Sequence, residues 1–365
     1  MKNFGFGCMR LPMLEGGEAV DLEQFKEMVD AFMAAGFTYF DTAHGYLKGK
    51  SETAIREGLV KRYPRESYIL TDKLSGPYYE KEEDIRPLFQ QQLECCGVEY
   101  FDYYLLHSMS EKSYAKAEAC NAFEVCKELL AEGKIKHLGM SFHDGPELMD
   151  KILSAHPEIE VVQIQFNYAD YDDPTVQSKA VYDVVRKYNK PLIIMEPVKG
   201  GSLADLVPEA AEAIAPVGGS PASAAIRYAA SFEGVFMVLS GMSTLGQMED
   251  NLSFMTDFKP LSAADFEAVD KVRAILKQQD VIPCTTCRYC EEGCPMQIPI
   301  PDLFKIMNNS KRFKNFRGAN EYRFTTRDKG MASQCIGCRQ CENICPQHLP
   351  ITDLLKDVAA AFEEA

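Results

Sequence analysis

Two cysteine runs near the C-terminus restrict this chain more than any other stretch. The first reads Cys284-Thr-Thr-Cys287-Arg-Tyr-Cys290-Glu-Glu-Gly-Cys294-Pro295, the second Cys335-Ile-Gly-Cys338-Arg-Gln-Cys341-Glu-Asn-Ile-Cys345-Pro346. Both fit C-x2-C-x2-C-x3-C-P, a ligand spacing of [4Fe–4S] clusters. Three cysteines so closely spaced can wrap one corner of an iron–sulfide cube. The fourth is turned away by its proline. Zinc usually takes four ligands from paired C-x2-C units, which leaves a third cysteine and the proline unexplained. Disulfides need an exported chain, and Met1 to Met13 has no charged start followed by an apolar run. Thirteen cysteines without export predict a reducing, cytoplasmic setting and metal binding. Cys8, Cys95, Cys96, Cys120 and Cys126, outside the runs, read as small buried hydrophobes.

In two-cluster ferredoxins the fourth cysteine of each run ligates the other cluster. By that resemblance Cys284, Cys287, Cys290 and Cys345 hold one cluster, and Cys335, Cys338, Cys341 and Cys294 the other. About 40 residues separate the runs, with helical apolar spacing at Ile300, Leu303, Phe304 and Met307. This predicts a small, mainly helical two-cluster ferredoxin domain over 281–365, closed by an amphipathic helix from Ile351. Val281-Ile-Pro283 marks the boundary with a larger domain over 1–280.

That larger domain alternates short apolar runs with amphipathic stretches. Expected strands are Gly5–Met9, Tyr39–Asp41, Tyr68–Thr71, Tyr103–His107, His137–Met140, Val161–Gln165, Leu192–Glu196 and Val235–Leu239. Expected helices cover roughly 21–35, 51–62, 82–96, 113–131, 146–155, 176–188, 221–231 and 262–279. Eight strands alternating with helices predict an α/β fold with a parallel sheet, best closed as a (β/α)8 TIM barrel. An open, doubly wound sheet is the rival. The stretch Gly5-x-Gly7-x-x-Arg10 lacks the third glycine and the helix of a dinucleotide fingerprint, so it reads as the first barrel strand.

In such barrels chemistry gathers at the C-terminal ends of the strands. There the sequence places Asp41 and Tyr46 after the second strand, Lys73 after the third and His107 after the fourth. This set makes a proton donor. A free tyrosine has a pKa near 10, too high to release protons readily at neutral pH. A neighbouring ammonium stabilises the phenolate, and a carboxylate keeps the lysine charged and oriented. The histidine can hydrogen-bond a substrate carbonyl.

Over residues 1 to about 280 the chain resembles the aldo/keto reductases. The resemblance is carried by Asp41-Thr-Ala-x-x-Tyr46, Lys73, the Leu-His107 step, Gly139-Met-Ser141 and Glu249-Asp250-Asn251. It implies carbonyl reduction with NADPH in a (β/α)8 barrel, with Asp41, Tyr46, Lys73 and His107 as the catalytic tetrad. It further implies cofactor contacts from Ser141 and Gln163 on the nicotinamide, and from Met195, Lys199, Gly241, Gln247 and Asn251. Two positions depart from the family pattern. Phe142 replaces an asparagine, and Met195 replaces an aromatic. The stretch Ser240-Gly241-Met242-Ser243-Thr244-Leu245-Gly246-Gln247 contains no Lys or Arg for a 2′-phosphate, so NADH stands beside NADPH. Lys199 is the one plausible local cation, with Arg10 or Arg227 reaching the site only by rearrangement.

From residue 281 onward there are 11 Lys and Arg against 10 Asp and Glu, leaving 28 against 44, a net of −16, in the rest. An acidic body argues against nucleic acid and anionic membrane as partners. No stretch approaches the apolar length of a membrane span. The basic run Lys311, Arg312, Lys314, Arg317 reads as a solvated face or a docking patch for an acidic redox partner. The sequence therefore predicts an iron–sulfur oxidoreductase. It passes hydride between NAD(P)H and a small carbonyl or alcohol, and its two clusters serve electron transfer or structure. The alternative is an electron-transfer protein whose barrel is an inactive scaffold.

Overall fold

The computed structural model describes residues 3–173, 176–278, 280–312 and 318–363. Eight parallel strands form a closed barrel, each paired with its sequence neighbour and the first with the last. They are β1 (Phe4–Gly7), β2 (Tyr39–Asp41), β3 (Ile69–Leu74), β4 (Phe101–Met109), β5 (Ile135–Phe142), β6 (Val161–Gln165), β7 (Leu192–Met195) and β8 (Val235–Ser240). The barrel, not the open sheet, is the solution. A parallel sheet is covered on both faces, which is why its strands read as short, nearly continuous apolar runs.

The barrel interior shows how the sequence closes it. Tyr39, Leu105, Val161 and Met237, from the even-numbered strands, pack in one buried cluster. This is the layering by alternate strands that fills such barrels. Glycines on odd strands make the room. A β-carbon at Gly5 would meet Leu239 at 2.7 Å and Tyr39 at 2.9 Å, and one at Gly139 would meet Leu105 and Val161 at 2.6 Å.

The helices follow the apolar periodicity with several differences. The stretch expected as one helix over 113–131 is two, Glu111–Ala119 and Ala122–Ala131, because Asn121 is left-handed at φ 54°. The helix Lys50–Ile55 passes into a π-helical turn over Arg56–Val60. A further helix, Leu245–Met255, starts immediately after β8, with the Thr244 side chain capping Gln247 N–H. The helices expected from the apolar periodicity do not include this one.

The C-terminal region is helical as expected, with helices Tyr289–Glu292, Ile300–Arg312, Gly318–Thr325, Gln340–Ile344 and Ile351–Phe362. Ile300, Leu303, Phe304, Tyr322, Ile351, Leu355 and Val358 form its buried core. Each cysteine run opens its short helix from a left-handed arginine, Arg288 at φ 66° and Arg339 at φ 58°. Packing divides the chain into two units, Met1–Val198 with Val217–Phe266, and Lys199–Pro216 with Glu267–Ala365. The segment after β7 thus groups with the C-terminal unit, a long-range association that a linear boundary at residue 280 does not express. Among the described residues no helix is long and apolar enough to cross a membrane. In the basic run, Lys311 pairs with Asp280 at 2.7 Å; Lys314 and Arg317 lie outside the described residues, as does the Arg312 side chain.

Candidate functional site

Asp41 is the last residue of β2 and pairs in register with Thr71. Lys73 lies two residues further along β3, opposite Leu105, and His107 lies two residues beyond that on β4. Parallel register therefore delivers all three to one end of the barrel. Lys73, 1% exposed, donates to Asp41 Oδ1 at 2.6 Å and to the Thr42 carbonyl at 2.6 Å. Its ammonium lies 4.9 Å from the centre of the Tyr46 ring. A buried ion pair is tolerated only when its remaining polar atoms are also satisfied. Asp41 Oδ2 meets this by accepting from Gln163 Nε2 at 3.5 Å. Burial raises the Asp41 carboxyl pKa, and Lys73 opposes the rise.

His107 stands edge-on to Tyr46, with ring centres 5.9 Å apart. Burial pushes its pKa well below the ordinary range, helped by the Lys73 charge and by His143, so the imidazole is neutral. Its Nδ1 lies 2.6 Å from Ser75 Oγ. Ser75 and His143 were not singled out from the sequence. The signal for Ser75 is its place two residues after Lys73, on the same face of an extended chain.

Ser141 and Gln163 are register partners on β5 and β6. Ser141 Oγ accepts from Ser108 N–H at 2.7 Å, leaving its own hydroxyl proton to donate. Gln163 Oε1 is buried with no hydrogen-bond partner among the described residues. Such an orphaned acceptor is costly unless a ligand satisfies it. One open donor and one open acceptor side by side suit a carboxamide. Met195 ends β7 beside Gln165. Asn251 Nδ2 donates to Ser240 Oγ at 2.7 Å, and Gln247 Oε1 accepts from Ser243 N–H at 2.7 Å. Lys199 belongs to the C-terminal unit by packing. The cation beside Gly241 is instead Arg10. A β-carbon at Gly241 would touch the Arg10 side chain at 3.4 Å, and Ser243 Oγ donates to the Arg10 carbonyl at 2.9 Å. No rearrangement is needed to bring it there. Its guanidinium pairs with Glu196 at 3.2 Å, and Glu196 is left-handed at φ 55°.

The eight cysteines of the two runs line two cavities. Cys284, Cys287, Cys290 and Cys345 line one, with Phe304, Leu349 and Ile351. Cys294, Cys335, Cys338 and Cys341 line the other. Each set thus takes three cysteines from one run and the fourth from the other. Burial raises the Cys290 thiol pKa, and charge on Cys287, Cys284 and Cys345 raises it further. Sulfurs this close become thiolates together only when cations neutralise them. Burial raises the Cys345 thiol pKa, opposed by backbone N–H groups of Leu349, Gln347 and His348 that favour its thiolate. The donors and their hydrogen bonds therefore fit an iron–sulfur cluster in each cavity. Outside the runs, Cys8, Cys96, Cys120 and Cys126 are buried and Cys95 is half-buried.

Comparison with known proteins agrees with both halves of this description. Residues 3–274 match the aldo/keto reductase family, and residues 283–349 match the 4Fe-4S dicluster domain. Among curated relatives, the NAD(P)H-dependent D-xylose reductase of Candida tenuis is 28% identical over 191 residues, 45% of this chain and 55% of that protein. The alignment therefore spans little more than half of that relative's length. The 9,11-endoperoxide prostaglandin H2 reductase of Trypanosoma cruzi is 23% identical over 283 residues, 74% of this chain and 93% of that protein. An aldo-keto reductase from Klebsiella pneumoniae, solved in complex with NADPH, superposes with a TM-score of 0.61 at 18% identity, covering 74% of this chain and 90% of its own. At that identity the likeness speaks for the fold alone.

Proposed function

Since the chain belongs to the aldo/keto reductase family, we propose that its barrel reduces carbonyls, or oxidises the corresponding alcohols, with NADH or NADPH. We propose also that its C-terminal unit carries two [4Fe–4S] clusters, which serve electron transfer or structure. A bound nicotinamide supplies or accepts the hydride, and each bound cluster stores one electron. The observation that carries the reading is the buried Lys73, tied to Asp41 and set 4.9 Å from the Tyr46 ring centre beside a neutral His107.

In this reading Asp41 keeps Lys73 in place, and Lys73 stabilises the negative charge that develops on the Tyr46 oxygen as its proton leaves. Ser75 donates its hydroxyl proton to His107 Nδ1, which leaves Nε2–H to point a carbonyl oxygen toward Tyr46. Ser141 and Gln163 supply the donor and acceptor for the nicotinamide carboxamide. The substrate is a small carbonyl or alcohol, and a one-electron carrier protein is the partner suited to the C-terminal unit. The inactive-scaffold alternative requires no nucleotide binding.

The test is an anaerobic titration with NADH and NADPH, followed by turnover of a panel of aldehydes and ketones. Tyr46→Phe keeps the ring and removes the proton, so nucleotide binding persists while turnover falls about 10²–10⁴-fold. Wild-type turnover by Tyr46→Phe refutes the tetrad assignment. Binding of neither nucleotide by the intact protein favours the scaffold.

A further inference from the structure

The chemistry above leaves unused the most unusual buried group in the barrel. Glu52, on the helix Lys50–Ile55, and Asp72, on β3 next to Lys73, are both 0% exposed. Ligand-type atoms of Glu52, Asp72 and Cys96 all lie within 4.8 Å of one another. Few charged or titratable groups face the pair. His44 Nδ1 lies 3.1 and 3.0 Å from the two Glu52 oxygens. Cys95 and Cys96 come from the end of the helix Glu82–Cys96, the latter with Sγ 3.8 Å from Asp72 Oδ2. Tyr104 approaches from β4. Lys73 gives Asp72 Oδ1 only its backbone N–H, at 2.7 Å, because its ammonium is committed to Asp41 and Thr42.

Two carboxylates this close, both shielded from water, cannot both ionise. A single imidazole does not offset two buried anions. A proton shared between the acids removes one charge and supplies a hydrogen bond between them. The remaining negative charge then rests on Glu52, the carboxyl that faces His44. Burial and the neighbouring Glu52 charge raise the Asp72 pKa well above the carboxylate range, in keeping with Asp72 as the residue that keeps the proton.

The chain leaving His44 explains why a clamp belongs here. Tyr46 follows two residues later, and Leu47, Lys48 and Gly49 are three consecutive left-handed residues at φ 53°, 57° and 81°. A non-glycine residue in this region costs free energy and persists only when its surroundings hold it. Ser51 holds one side, bonding Thr42 Oγ1 at 2.7 Å and the Cys8 carbonyl at 2.9 Å. His44 holds the other through Glu52, with Tyr78 edge-on to its ring at 4.7 Å. We propose that Glu52 and Asp72 share one proton, and that their single remaining charge clamps His44 and so positions the loop bearing Tyr46. They are positioning residues, and this role rests on the hydride-transfer reading above; the shared proton does not.

The experiment is infrared spectroscopy of the whole, anaerobically prepared protein at neutral pH, with turnover measured in parallel. Wild-type protein is expected to show the carbonyl stretch of a buried protonated carboxyl. Asp72→Asn removes it. Glu52→Gln shifts it without removing it, because burial keeps Asp72 protonated while its hydrogen-bond partner changes from a carboxylate to a carboxamide. An unshifted band in Glu52→Gln overturns sharing, as does its absence from wild type or stoichiometric metal beyond the cluster iron. For the clamp, Asp72→Asn keeps the shape of the protonated acid and turns over near the wild-type rate. Glu52→Gln loses about tenfold or more in kcat with KM little changed, and Glu52→Asp restores part of it. Equal losses in Asp72→Asn and Glu52→Gln, or none in Glu52→Gln, overturn the clamp. If no carbonyl is turned over by any form, the hydride-transfer reading fails while the infrared result still decides the shared proton.

Discussion

Gly200 and Thr285 are 85 positions apart in sequence, yet a β-carbon on Gly200 would lie 2.2 Å from the Thr285 carbonyl oxygen. Thr285 sits between Cys284 and Cys287, and Gly200 is left-handed at φ 64°. Both sterics and backbone conformation therefore demand glycine here. The segment that leaves β7 is thus built into the wall of one cluster loop.

The first prediction follows from that contact. Gly200→Ala forces the Thr285 backbone to move and disturbs the cavity of Cys284, Cys287, Cys290 and Cys345. Iron and sulfide analysis of anaerobic protein is expected to fall from about eight of each per chain to about four. The electron paramagnetic resonance signal of the other cluster should persist. A full complement with an unchanged spectrum would show that the contact does not matter.

The proposed crosswise ligation gives a second prediction. Cys345→Ala should damage the cluster whose other ligands are Cys284, Cys287 and Cys290, although Cys345 lies 55 positions from the nearest of them. Cys294→Ala should spare that cluster and damage its neighbour. Spectra of the two variants that show the reverse pattern would restore each fourth cysteine to its own run.

Lys73 and Asp41 supply the third. Lys73→Met leaves the Asp41 carboxylate buried without its cation, which costs about 3–5 kcal/mol of stability. Chemical denaturation of the barrel measures it. The double variant Lys73→Met with Asp41→Leu is expected to regain most of that stability while remaining without turnover. Loss of less than about 1 kcal/mol in the single variant would mean that Asp41 finds another partner or takes up a proton.

The fourth concerns pH. The folded-state pKa of His107 is pushed well below the ordinary value by burial, whereas an unfolded histidine titrates near 6.5. Below that pH the unfolded chain binds a proton that the folded chain refuses, so stability falls as the solution is acidified. This one group adds a slope approaching about 1.4 kcal/mol per pH unit. His107→Asn should flatten the acid side of the stability curve between about pH 6 and pH 5 relative to wild type. An unchanged slope would place the His107 titration elsewhere.

The fifth concerns nucleotide choice. Arg10 is the cation beside Gly241, but Glu196 holds it at 3.2 Å. A 2′-phosphate must compete with that carboxylate. Preference for NADPH over NADH is therefore expected to stay under about tenfold, or about 1.4 kcal/mol. Glu196→Gln should raise it, and Arg10→Ala should lower it. Paired titrations at matched ionic strength decide the matter. A hundredfold preference in wild type, or no response to Glu196→Gln, contradicts the reading.

Much of this was readable from local sequence. The short apolar runs of the strands, the 3.6-residue period in most helices and the cysteine spacing are properties of short segments, and each survives translation into structure. Asp41, Lys73 and His107 were legible as a group for a related reason. In a parallel barrel every strand presents the same end to the same mouth, so residues at strand ends converge without any knowledge of long-range packing. The helix Leu245–Met255 escaped because its polar start resembles a loop until the Thr244 cap is seen.

Tertiary structure decided what depends on closure and on contacts far apart in sequence. Pairing of β1 with β8 brings Arg10 beside Gly241 and Ser243, although 231 positions separate it from Gly241. Glu52, Asp72 and Cys96 come from three elements, and each alone is an unremarked acid or thiol. Gly200 is constrained by the Thr285 backbone, which lies 85 positions away in sequence. Sequence determines such elements because their hydrogen bonds and periodicities are local. It leaves those juxtapositions open because they follow from barrel register and from packing between elements, which no short window of residues encodes.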